Sequence, residues 1–168
     1  MTGLAAAWWP VSTAVSAESQ AVGNALAPVR RARERSQSLF GGKSEAISQI
    51  WALVNECTEP GWDGEDAEPI DQRAAFAATS LIRVLPEDLP LPEATVDPDG
   101  AVSLDWACSR HRVFSVSVGS SRRLAFAWLD GTDRGHGVAE FDGERAPKRI
   151  LDGVREILRH ASPSVRTR

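Results

Sequence analysis

Three runs decide the fold: Val102-Ser103-Leu104-Asp105-Trp106, Phe114-Ser115-Val116-Ser117-Val118 and Leu124-Ala125-Phe126-Ala127-Trp128. In each, a large apolar residue alternates with a small or polar one. Side chains of a strand point alternately to its two faces, so this period marks a strand with one buried face. The links between the runs are too short for a crossover, which makes an antiparallel meander the natural arrangement. Upstream, Ala94-Thr95-Val96 reads as a short strand and Pro98-Asp99-Gly100 as a turn. Downstream, Val138 to Phe141 reads as another short strand, and the Gly-rich stretch Asp130-Gly131-Thr132-Asp133-Arg134-Gly135-His136-Gly137 as a flexible connection. The expected sheet has about four strands.

Outside this sheet the period changes. Ile47, Ile50, Trp51 and Val54 recur at helical spacing, with Leu53 and Cys57 widening the apolar face and Trp51 assigned to the core. Gly41-Gly42 is expected to break the chain before this helix, and Ser44 to cap it. A second helix starts at Asp71 as N-cap, with Ile70 as a hydrophobic staple against Ala75. It carries the stripe Ala74, Ala77, Ala78, Leu81, Ile82 and Leu85, and stops at Pro86. A last helix follows Pro147, with Ile150, Leu151, Val154, Ile157 and Leu158 on one face and Arg155, Arg159 and His160 toward its C-terminal end. Helices grouped before and after a run of strands predict an α+β fold: an antiparallel sheet packed by two preceding helices and one C-terminal helix. Residues 1–42 read as an N-terminal extension or arm, 43–162 as a single α+β domain and 163–168 as a tail.

With 168 residues the chain can bury a core without disulfides or metals. Cys57 and Cys108 lie in no CxxC motif and read as reduced thiols of a cytoplasmic protein, although spacing alone leaves a bridge between them open. No apolar run approaches the ~20 residues of a membrane span. Leu4 to Val11 has a faint signal-peptide look, but it lacks a preceding basic residue and is broken by Pro10, so it is assigned to the extension.

A net charge of −4 argues against attraction of the whole surface to nucleic acid. The charge is unevenly spread. Between Lys43 and Arg73 there is no basic residue, only Glu45, Glu56, Glu59, Asp63, Glu65, Asp66, Glu68 and Asp71. Arg30, Arg31, Arg33 and Arg35 form a basic run before it. The segment Glu59 to Ile70 joins the first two helices and concentrates the acids around Trp62. Its plain reading is a corner in which Trp62 packs down and Asp63 caps local N–H groups. Its functional reading is a docking loop that receives Arg or Lys from a protein partner through Trp62, Asp63, Glu65, Asp66 and Glu68. Trp8 and Trp9 would add anchors and Arg31, with its neighbours, an electrostatic handle.

The order Gly61-Trp62-Asp63-Gly64, Pro69-Ile70, an Ala-rich helix, Leu85-Pro86, Asp99-Gly100 and a strand ending Leu104-Asp105-Trp106 resembles a loose group of small, uncharacterised bacterial proteins. The likeness covers about residues 44–141. It implies the same architecture, carries no activity, and makes a bacterial or phage toxin–antitoxin or defence setting the expected home. Where such proteins often place Ser or Thr as the cap, this chain has Asp71.

No catalytic motif is visible. There is no G-x-S-x-G, no phosphate loop with its Lys, no EF-hand spacing, and no cofactor signature. Hence the expectation is a non-enzymatic interaction module with no metal or cofactor, and no membrane partner. Two alternatives compete. A metal-dependent hydrolase would have to assemble Asp63, Asp66, Asp130, Asp133 and His136 at one point. A nucleic-acid binder would use Arg110, Arg112, Arg122 and Arg123, expected to cluster at one end of the central hairpin, together with the Arg30–Arg35 run.

Overall fold

The computed structural model describes residues 41–159, which belong to the second of two compact units, Leu39–Arg168. Within the described residues helix α1 covers 41–56. Gly41 and Gly42 therefore do not break the chain, and Ser44 is an interior helical residue whose carbonyl accepts from the Ser48 hydroxyl. Helix α2 spans Gln72–Val84. Asp71 caps it by accepting from the Arg73 N–H at 2.7 Å, the short polar acceptor that an orphan first-turn donor requires. The chain leaves α2 at Leu85, before Pro86. Lys43 of α1 donates to the carbonyls of Arg83 and Leu85 at that end. A cation is thus placed where the helix dipole is negative.

The sheet has five strands: β1 Glu93–Val96, β2 Val102–Ser109, β3 Arg112–Val118, β4 Arg123–Asp130 and β5 Asp133–Glu140. They pair in sequence order, each antiparallel to its neighbours, so the meander is as expected with one strand more. Ala94–Val96 is the strand beyond the four, pairing with β2, and β5 is longer than expected, because Asp133 to Gly137 is strand rather than connection. Glycine in a strand usually weakens it. Here Gly135 faces Trp128 and Gly137 faces Phe126 across the ladder. A Cβ at Gly135 would come within 2.2 Å of the Trp128 ring and one at Gly137 within 2.6 Å of the Phe126 ring. The glycines are the seats of two aromatic rings, and the rings supply the cross-strand contact that the missing side chains do not. Gly131, with φ 66°, opens the two-residue turn into β5.

Helix α3 spans Lys148–Arg159. It buries Ile150, Val154 and Ile157 and half-buries Leu151 and Leu158, the predicted stripe. Gly153 lets it approach the sheet, since a Cβ there would lie 2.2 Å from the Phe114 ring. Ile50 of α1, Leu81 and Ile82 of α2, and the α3 stripe share one core with Val102, Leu104, Trp106, Phe114, Val116, Val118, Leu124 and Phe126. Trp51 is only half-buried. It meets Phe76, itself 59% exposed, edge to face at 4.9 Å. The pair forms an outer contact between α1 and α2 rather than core. Both cysteines are free. Burial, and then the nearby Glu56 carboxylate, raise the Cys57 thiol above its usual value.

Candidate functional site

The acidic corner, residues 57–71, is built by its own main chain. Gly61 (φ 73°) and Gly64 (φ 88°) supply left-handed turns. The Gly64 N–H donates to the Gly61 carbonyl, and the Gly61 N–H reaches forward to the Ala67 carbonyl at 2.8 Å. Asp63 accepts from the N–H groups of Glu65 (2.8 Å) and Ala67 (3.4 Å), the local capping expected of it. Trp62 is half-buried, packs against the core, and donates from Nε1 to the Glu68 carbonyl at 2.9 Å. It therefore pins the corner.

One further bond closes the corner on itself and two fasten it to the β1–β2 turn. The Ile70 N–H donates to the Cys57 carbonyl, the Glu68 N–H to Pro98, and the Asp71 N–H to Gly100. Pro98 and Gly100 belong to the β1–β2 turn. Gly100 has φ 79°, and a Cβ there would lie 2.5 Å from the Pro69 carbonyl oxygen, so only glycine fits this junction. Docking places the turn's Asp99 between Pro98 and Gly100, the two residues whose carbonyls accept from Glu68 and Asp71; Glu65, Asp66 and Glu68 are exposed. The turn's Asp97 sits lower and accepts from the Ser117 hydroxyl at 3.0 Å. Burial raises the Asp97 carboxyl above the usual aspartate value. The Ser117 hydrogen bond opposes that rise, while Asp99 and Asp105 add to it.

The result is an outward acidic surface on a fixed frame. Among the described residues, none of Glu65, Asp66 and Glu68 is in an ion pair. Asp99 was missed in the sequence because its turn was legible but the element it docks on was not. Trp8, Trp9 and Arg31 lie outside the described residues.

The other predicted clusters are not assembled. The corner sits against the β1–β2 turn. Asp130 and Asp133 flank the β4–β5 turn at the opposite end of the sheet, where the Gly131 N–H donates to His111 at 2.8 Å. His136 is farther along β5, opposite Ala127. The five residues of the hydrolase reading are thus split between two ends. Among the described residues no group of three or more His, Cys, Asp or Glu side chains could hold a metal ion. The four arginines are likewise divided. Arg110 and Arg112 precede β3 or open it, whereas Arg122 and Arg123 follow the turn after its far end, roughly 23 Å of strand away. Arg112 is already engaged, donating from Nε to Asp130 at 2.7 Å.

One concave feature was not foreseen. A cleft of about 200 Å³ lies between α3 and the β3–β5 side of the sheet, lined by Phe126 and Trp128 and by the carboxylates of Asp130, Asp133, Asp152 and Glu156. It contains its own cation. The Arg149 guanidinium lies 6.0 Å from the Trp128 ring centre, within reach of a cation–π contact. Its walls come from elements distant in sequence, so no local pattern announces it. Comparison of the chain with protein-family models, with curated proteins and with solved structures gives no match.

Proposed function

We propose that the chain acts by binding a protein partner, through the acidic corner formed by Asp63, Glu65, Asp66 and Glu68 and the adjoining Asp99. The observation that supports this reading is the corner's rigidity combined with its charge. Main-chain bonds and the Trp62 and Asp63 side chains fix its shape, while its outward carboxylates meet no cation among the described residues. A pre-formed acidic surface binds basic side chains without the cost of ordering a loop. The sequence resemblance adds a bacterial or phage setting to the proposal. Trp62 serves this surface indirectly, by holding its frame.

The test is affinity capture from the native host, comparing wild type with Glu65→Gln/Asp66→Asn/Glu68→Gln. The substituted positions are exposed, so the variant should melt with the wild type. The reading expects a protein held by wild type, released by added salt and absent from the variant's eluate. Identical eluates from the two would reject it.

A further inference from the structure

We propose that β5 pairs with β5 of a second copy of this chain, antiparallel about a two-fold axis through Gly137, joining the two sheets edge to edge. Strand β5 is the last in the sheet, and among the described residues nothing pairs with its outer edge. That edge is eight residues long and contains no proline. It has no bulge in its register with β4. Natural sheets usually blunt such an edge or use it.

The orientation of the free main-chain groups follows from the ladder. Phe141, just past the strand, donates its N–H inward to Arg122. Inward and outward positions alternate, so Gly135, Gly137 and Ala139 bond toward β4, and Arg134, His136, Val138 and Glu140 present N–H and C=O to the open edge. Two outward sets can pair only even with even. With the axis at Gly137, Arg134 faces Glu140 of the second copy and Glu140 faces its Arg134, while His136 and Val138 face each other in both directions. All four side chains are exposed and project on the face opposite the helices. Both end pairs are of opposite charge, and the otherwise open Val138, 52% exposed, gains a neighbour. On the other face the paired residues of the seam are Gly135, Gly137 and Ala139, and the Trp128 and Phe126 rings of the same chain lie over the two glycines. The edge is thus complementary to itself, as a two-fold contact requires. This surface is separate from the acidic corner, at the other edge of the sheet.

The test uses the full chain in sedimentation equilibrium across a concentration series, with Arg134→Glu, Glu140→Arg, and an equimolar mixture of the two. The expected result is a wild-type mass rising from monomer to dimer with concentration. Each single reversal should weaken dimerisation roughly tenfold or more, because symmetry turns both ion pairs into like-charge pairs. The mixture should restore it, since one chain then carries two acids where the other carries two bases. A monomer at every concentration, a dimer indifferent to the reversals, or a mixture that stays as weak as its components would each overturn the proposal. Unchanged melting curves for the single variants separate loss of pairing from loss of fold.

Discussion

Thr79 sits in α2 with 2% of its surface exposed, and among the described residues its hydroxyl has no hydrogen-bond partner. A buried donor left unpaired carries its full desolvation cost, so Thr79→Val should raise stability by about 1 kcal/mol in denaturant unfolding. A decrease would mean that the hydroxyl has a partner. Asp97 gives a pH-dependent counterpart. Its folded carboxyl is raised, mainly by burial, so the native state binds its proton more readily than the unfolded chain does. The associated stability is present below the usual value of 3.8 and is lost as pH rises through the folded value. Asp97→Asn keeps an oxygen for the Ser117 hydroxyl and removes the charge. The variant should melt higher than wild type at pH 7, and the gap should close as the pH falls below the usual aspartate value. A gap that is constant with pH would mean that the charge is not the cause. At Trp62, Phe keeps most of the apolar contact but loses the bond to the Glu68 carbonyl, a loss of about 1 kcal/mol.

At the scale of elements, the strands and helices were legible because their periods are clean. Val102 to Trp106, Phe114 to Val118 and Leu124 to Trp128 alternate without interruption, and Asp71 and Pro86 bound α2 in chemistry that acts locally. What failed were the glycines. Gly41-Gly42 looked like a break and is helix; Gly135 and Gly137 looked like a loop and are strand. A glycine's conformation is set by what packs on it, and the rings of Trp128 and Phe126 come from another strand. Gly153 is the third such case, where α3 rests on Phe114. The ring is enclosed, so the contact cannot relax cheaply. Gly153→Ala should cost about 1–3 kcal/mol by overpacking, despite alanine's better helix propensity. Increased stability in thermal melts would show that the helix can lift from the sheet without loss.

For the whole molecule, the topology separates what the sequence left free to converge. A meander sends alternate turns to opposite ends. The corner and the β1–β2 turn therefore share one end, while Asp130 and Asp133 share the other with His111. That separation divides the carboxylates of the hydrolase reading and the arginines of the nucleic-acid reading, and it places Asp99 beside the acidic corner. The division of the arginines was implicit in the predicted meander, since strand 114–118 lies between the two pairs, but the docking of the β1–β2 turn on the corner was not readable from spacing, because it depends on which turn meets which connector. Whether the corner is a rigid acidic docking surface is tested most directly by site-specific photo-crosslinking. A photoreactive residue at Glu65 or Glu68, and in a separate chain at Arg110 on the far turn, is irradiated in host extract. The predicted result is one shared protein adduct from Glu65 and Glu68, suppressed by salt and absent from Arg110. No adduct at the corner, or the same adduct from all three positions, would contradict the account.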